Sequence, residues 1–399
     1  MVNPRGFWLR LHRYVGLSLA GFLVLTGLTG AVLAWNAELD EALNPGLFRA
    51  VPPDADAAMW SPLALREAVQ QRFPQTLVAR VPLALEPGKA ATFLLRRKPG
   101  GPPLADDQVF LDPYTGQILG MRRWGDITQG AHNLMPFVYR LHYSLALGPV
   151  GTVVLGIAAV LWTLDCLVGL YLTLPARRRH AGAPSFWSRW STAWKLSLRS
   201  PFRAVFDVHR AGGLWLWLAL LGMAISSVAL NLPQVYDPVV QGLAARQPGI
   251  EALPARATPL WEPRLGWAQA HARAAELMRE EGARMGFAVR QESSLSYDPR
   301  RGLYRYDVRS SLDVKDRGGS TRNFIDADTG RLVGTWLPTA AAAGDTVTTW
   351  LTLLHMAAVG GLPMKAAIAL FGLAVAVLSC TGVIIWARKR QARKNAARR

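Results

Sequence analysis

The chain has 399 residues, 51% of them apolar, a formal charge of +18 and two cysteines. Length alone suggests about two or three domains, but the apolar residues gather in four runs nearly free of charge, which excludes an ordinary soluble globule and points to a membrane protein. The lysines and arginines cluster beside the ends of those runs, as topology signals do, so the charge does not argue for nucleic acid; Cys166 and Cys380 fall inside apolar runs, which excludes a disulfide framework and any Cys-based metal or haem-attachment motif.

The first apolar run covers about residues 14–35 and is opened by Leu11-His12-Arg13-Tyr14-Val15-Gly16-Leu17. At about 1.5 Å per residue it can cross a hydrocarbon core of about 30 Å, and it is longer than the apolar core of a cleavable signal, about 7–15 residues. Residues 12–38 are therefore expected to form a retained transmembrane helix, with Arg5, Arg10 and Arg13 before it and Glu38, Asp40 and Glu41 after it. Residues 39–135 read as a polar domain. It has a helix over 62–72 with Ser61 as N-cap, strands over 78–85, 91–97 and 108–111, and a strand-turn-strand signature around Asp112-Pro113-Tyr114-Thr115-Gly116. Residues 136–175 hold a lead-in helix with Arg140-Leu141-His142-Tyr143-Ser144 and a second transmembrane run over about 150–174, followed by Arg177-Arg178-Arg179-His180.

Residues 176–204 form a basic loop whose Trp187, Trp190 and Trp194 suggest a helix lying along the membrane surface. The third run, 205–231, opens on Val208-His209-Arg210-Ala211-Gly212-Gly213-Leu214, where the histidine stands 197 residues after His12. A second polar domain, 232–345, repeats the first: a helix over 267–281, strands over 288–297, 304–310 and 322–325, then Asp326-Ala327-Asp328-Thr329-Gly330, with its Asp, Thr and Gly each offset by 214. Residues 346–387 hold Leu353-Leu354-His355-Met356-Ala357 and a fourth run over about 364–386, with His355 and Gly382 each 213 residues after His142 and Gly169. A basic tail, 388–399, follows. The expected fold is an α-helical membrane protein with four transmembrane helices and two α+β polar domains, built as a tandem repeat. By the positive-inside rule both termini and the 176–204 loop are cytoplasmic and the polar domains face the other side.

A helix followed by a small antiparallel sheet ending in Asp-x-x-Thr-Gly resembles a PepSY domain. Such a domain between a helix with His-Arg-x-x-Gly and one headed by Leu-His resembles the PepSY-associated transmembrane helix family, over nearly the whole chain. Some members of that family are inner-membrane ferrisiderophore reductases with two b-type haems. The resemblance therefore implies a bacterial inner-membrane protein, PepSY-like domains in the periplasm and a ferric siderophore as electron acceptor.

One histidine near a membrane interface reads ordinarily as a snorkelling or hydrogen-bonded residue. Four at equivalent points of two repeats suggest more. If the halves pack as parallel repeats about an axis along the membrane normal, His12 faces His209 near the cytoplasm and His142 faces His355 near the periplasm. Each pair then suits an iron tetrapyrrole held by an imidazole from either side. The expected cofactors are two b-type haems with these four axial ligands. Arg13 and Arg210 either grip haem propionates or serve only as positive-inside anchors. Asp165, the one acid within an apolar run, either orients a cytoplasmic histidine through its other ring nitrogen or pairs with a nearby arginine. His132, which aligns with Asp345, His180 and His271 lack repeat partners and read as surface residues, with His132 a reserve ligand candidate. Trp215 and Trp217 read as interfacial aromatics.

No Gly-x-Gly-x-x-Gly follows a strand and no Walker-type loop is present, so there is no recognisable NAD, FAD or ATP motif. Electrons are expected from quinol or a cytoplasmic reductase, entering at His12/His209 and leaving at His142/His355. No catalytic side chain is assigned. The competing reading is a haem-free membrane module whose PepSY domains bind a peptide, a metal or a sensor partner.

Overall fold

The structure, a computed structural model, describes residues 4–54, 56–176, 184–197, 199–249, 253 and 255–398. His180 and the Arg177-Arg178-Arg179 run before it lie outside the described residues. In chain order the helices are α1 (Pro4–Leu33), α2 (Asn36–Leu43), α3 (Pro45–Phe48), α4 (Pro62–Arg72), α5 (Leu134–Ser144), α6 (Pro149–Thr173) and α7 (Phe186–Trp190). They continue with α8 (Pro201–Trp215), α9 (Trp217–Asn231), α10 (Pro233–Leu243), α11 (Trp267–Met285), α12 (Ala343–His355) and α13 (Gly361–Ala397). The strands are β1 (Thr76–Val78), β2 (Arg80–Pro82), β3 (Ala91–Arg97), β4 (Gln108–Leu111), β5 (Ile118–Arg122), β6 (Val289–Asp298), β7 (Leu303–Ser310), β8 (Thr321–Asp326) and β9 (Leu332–Trp336). Two compact units result: residues 1–35, 138–239 and 351–399 form one, and 36–137 with 240–350 the other.

The first unit is helical. Among the described residues α1, α6 and α13 are long and apolar enough to cross a membrane, and α8 with α9 adds a fourth span only as a pair bent by 69°. Leu28, Val32, Val153, Ile157, Leu164, Leu370 and Val377 all point outward. Faces so apolar are stable only against surroundings that are themselves apolar, and the backbone of a spanning helix satisfies its own hydrogen bonds. The chain is a multi-pass membrane protein.

The third run departs from the single helix expected over 205–231. It begins earlier, at Pro201, where Ser200 Oγ accepts the Arg203 N–H, and it breaks at Leu216 (φ −98°, ψ 1°). Gly212 and Gly213 precede the break, and glycine pairs are where helices kink. The Trp217 indole donates to the Cys166 carbonyl at 3.0 Å, which ties the start of α9 to α6. The basic tail is likewise not a separate segment, since α13 continues through it to Ala397.

Helices α1 and α13 meet through glycines. A Cβ at Gly27 would stand 2.6 Å from the Gly372 carbonyl oxygen, and one at Gly372 would stand 2.4 Å from that of Gly27. Small residues allow this approach, which maximises van der Waals contact where lipid supplies no hydrophobic drive. Gly372→Leu should force the helices apart at a cost of about 1–3 kcal/mol, the usual range for overpacking. The loss should be read as a lowered thermal midpoint in detergent; an unchanged midpoint would mean that the two backbones do not touch there.

The polar unit holds two antiparallel sheets, ordered β1-β3-β4-β5 and β2-β6-β7-β8-β9. Helix α4 packs Leu65 and Val69 onto Val78, Phe93, Val109 and Leu111, while α11 packs Ala270, Ala274, Leu277 and Met278 onto Leu295, Tyr304, Tyr306 and Ile325. The strand expected over 78–85 is split at Ala79. Its first part pairs with β3, and Arg80–Pro82 crosses to pair with β6 in the register Val81↔Leu295. Val81 remains fully buried in the first core, so one short segment belongs to both halves. The Arg66 guanidinium lies 4.3 Å over the Trp267 ring and adds a second tie.

Both Asp-x-x-Thr-Gly motifs are hairpin turns between β4 and β5 and between β8 and β9. Asp112 Oδ1 accepts the Tyr114 N–H at 2.8 Å, and Asp326 Oδ1 accepts the Thr329 N–H at 2.8 Å. Gly116 and Gly330 take φ of +71° and +68°, the left-handed region that glycine enters without a Cβ penalty. The motif is thus turn chemistry. His271 is not a free surface residue: it bonds Glu292 at 2.8 Å, and that bond holds the Glu292 carboxyl below the usual carboxylate range. His132 contributes through its backbone, accepting from Arg122 at 2.8 Å and Asn44 at 3.3 Å.

Candidate cofactor site

The helical unit brings the four repeat-related histidines together two by two. The ring centres of His12 on α1 and His209 on α8 are 6.2 Å apart, with the planes 51° apart. Those of His142 on α5 and His355 on α12 are 6.3 Å apart, with the planes at 72°. The two pairs occupy different levels of the bundle. His142 contacts Thr29, and Thr29 lies 17 residues beyond His12 on the same continuous helix, about 25 Å at about 1.5 Å per residue.

What stands behind each ring decides which nitrogen is free. His12 Nδ1 lies 2.9 Å from Asp165 Oδ1 on α6. His209 Nδ1 donates to the Leu378 carbonyl at 3.0 Å, with Thr381 Oγ1 at 3.2 Å. His142 Nδ1 lies 2.9 Å from Thr29 Oγ1, whose own proton is directed to the Leu25 carbonyl. His355 Nδ1 lies 2.8 Å from Ser226 Oγ, whose proton goes to the Met223 carbonyl. A carbonyl and a carboxylate can only accept, so Nδ1 of His209 and of His12 carries the proton, while the Thr29 and Ser226 hydroxyls, each also within reach of a backbone carbonyl, can take the Nδ1 proton of His142 and His355. In that tautomer each Nε2 presents a lone pair.

Local sequence explains the close seating of the rings. A Cβ on Gly30 would stand 3.1 Å from His142 Cε1, one on Gly382 3.1 Å from His209 Cε1 and one on Gly169 3.6 Å from His12 Cε1. Glycine lets each imidazole lie against a neighbouring backbone. One turn after His12 and His209, Gly16 and Gly213 open on empty space, with nothing within 4 Å of a built Cβ. A planar group beside the histidines would find its clearance there.

The pairs are suited to hold a metal between them. Two imidazoles bonded to one metal at about 2.0–2.1 Å, each nitrogen roughly 1 Å from its ring centre, stand roughly 6 Å apart centre to centre. The ring planes share only the axis through the metal, so their mutual angle is free. Two donors do not complete a metal shell, and no group of three or more His, Cys, Asp or Glu able to hold a metal ion occurs among the described residues. A metal held there would need its remaining ligands from a group bound with it.

Of the other candidates, Asp165 reaches His12 and makes no ion pair with an arginine among the described residues. Arg210 Nη2 donates to the fully buried Asp207 at 2.8 Å and to the Thr192 carbonyl at 2.9 Å, binding α8 to the turn Ser191–Trp194, while its Nε is buried without a partner. Arg13 is half-buried and makes no hydrogen bond or ion pair among the described residues. Sequence reasoning missed Thr29 and Ser226. The signal was available: they stand 197 residues apart, the same offset as His12 and His209.

Residues 9–389 match the model of a family described as the PepSY-associated TM region. No curated protein matches the chain.

Proposed function

The chain belongs to the PepSY-associated transmembrane family, and from that premise we propose that it is a b-type haem protein of the bacterial inner membrane that reduces a ferric siderophore in the periplasm. The observation that supports this reading is the set of four histidines, each with a hydrogen-bond partner at Nδ1, whose rings stand in two pairs 6.2 and 6.3 Å apart. A porphyrin supplies four nitrogens to its iron and leaves two further ligands to the protein, which fits a chain in which no group of three or more His, Cys, Asp or Glu able to hold a metal ion occurs among the described residues. Each haem, when bound, supplies a one-electron carrier.

The protein's own groups do the rest. His12 with His209, and His142 with His355, would hold the two haem irons. Asp165, the Leu378 carbonyl, Thr29 and Ser226 keep each ring in the tautomer that can ligate, as outer-shell partners of metal-bound histidines do. The Nε–H of Arg210, and Arg13, neither with a partner among the described residues, are available to propionates, since guanidinium donors match carboxylates. Basic residues at the start of α1, in the 176–204 loop and at the end of α13 support four crossings, cytoplasmic termini and a periplasmic polar unit built as a repeat. With both groups bound, quinol or a cytoplasmic reductase would supply electrons at the His12/His209 end, and the acceptor would be reduced at the His142/His355 end. Ferrous iron holds hard oxygen donors less tightly than ferric iron, which favours release.

The test is a reduced-minus-oxidised spectrum of the purified full-length protein with pyridine haemochrome quantification. Two haems per chain and b-type α bands are expected. A preparation from haem-replete cells with no Soret band would leave the haem-free peptide, metal or sensor module as the function.

A further inference from the structure

The two histidine pairs are alike in separation and unlike in what backs them. His142 and His355 both rest on neutral hydroxyls, Thr29 and Ser226. His209 rests on a neutral carbonyl and a hydroxyl. His12 alone rests on a carboxylate, that of Asp165, 11% exposed and 2.9 Å away. The repeat makes this contrast specific, because the residue 213 positions on from Asp165 is Leu378, whose main-chain oxygen does for His209 what the Asp165 side chain does for His12.

A carboxylate accepting the Nδ1 proton makes the opposite nitrogen a stronger donor and adds negative charge near the metal. Both effects favour the ferric state over the ferrous, and outer-shell hydrogen bonding is one of the protein's levers on haem potential. A weakly screened interior enlarges the effect. Building on the haem reading above, we infer that Asp165 is a positioning and tuning residue that makes the His12/His209 centre the harder of the two to reduce. Electrons supplied by the donor then run downhill from that centre to the hydroxyl-backed His142/His355 centre. Each passes singly, one ferrous centre becoming ferric as the next ferric centre becomes ferrous.

The experiment is a potentiometric titration of the full-length protein followed at the α band. The wild type should resolve two one-electron components. Asp165→Asn keeps an acceptor for the ring N–H and removes the charge. It should raise the lower component alone by at least a tenfold change in its oxidised-to-reduced ratio at fixed potential, 59 mV for one electron. Asp165→Glu should restore the low value, and Thr29→Val should move the higher component only. The inference is overturned if Asp165→Asn shifts neither component, if it shifts the same one as Thr29→Val, or if it loses a haem that Asp165→Glu retains, since Asp165 would then act only by holding the ring. Absence of haem from the wild type would instead remove the reading beneath it.

Discussion

Purified protein carrying His142→Ala should contain one haem per chain where the wild type contains two. His142 and His355 face each other at 6.3 Å between ring centres, so removal of either leaves an iron with one protein ligand, and His355→Ala or the double variant should give the same single haem. Effects of residues that act as a unit do not add. His12→Ala and His209→Ala should deplete the other component. Loss of an outer-shell partner costs a metal site about 10–100-fold in affinity or activity, so loss of a ligand should lower the rate of ferric-chelate reduction by about 100-fold or more, whereas Thr29→Val should cost less. Retention of two haems by each single variant would defeat the ligand assignment. Depletion of one component by both His142→Ala and His12→Ala would show ligands paired within a repeat.

The histidines are legible in the sequence because duplication marks them: one polar residue in an apolar run carries little information, and the same residue at the same place in two copies carries much more. Thr29 and Ser226 obey the same offset yet stay unweighed, since a hydroxyl in an apolar helix usually returns its proton to its own backbone. They reach their own backbone here and still stand within hydrogen-bond distance of the rings. The break at Leu216 is hidden because leucine and tryptophan continue on both sides of it, so hydropathy sees no interruption. The passage of β2 from one sheet to the other is hidden for a different reason. Alternation of apolar residues reports which face of a strand is buried and says nothing about which edge it pairs with, and the partner Leu295 lies more than 200 residues from Val81. Helix α4 and strands β3 and β4 were expected at the observed bounds because N-cap, proline and alternation are all local signals.

Arg122→Met should lower the unfolding free energy of the polar unit by about 3–5 kcal/mol. The guanidinium is 3% exposed and grips Asp40 with two donors, at 2.7 and 3.0 Å. It also donates to the His132 carbonyl and to Gln108 Oε1, each at 2.8 Å, and lies over the rings of Phe48 and Phe110. Methionine fills much of the volume but leaves the Asp40 carboxylate, in a residue 7% exposed, buried with Asn44 as its one remaining donor among the described residues. The penalty is that stranded charge rather than the lost attraction, because two well-made charges in a dry interior gain little net over apolar neighbours. Asp40→Asn added to Arg122→Met should therefore recover part of the loss, which makes the pair non-additive in a double-mutant cycle. Pulse proteolysis across a urea series, scoring cleavage within the polar unit, gives the comparison. A single-variant loss under about 1 kcal/mol, or a double variant no more stable than Arg122→Met, would mean that water reaches Asp40 and that the bidentate contact is not what holds α2 against β5.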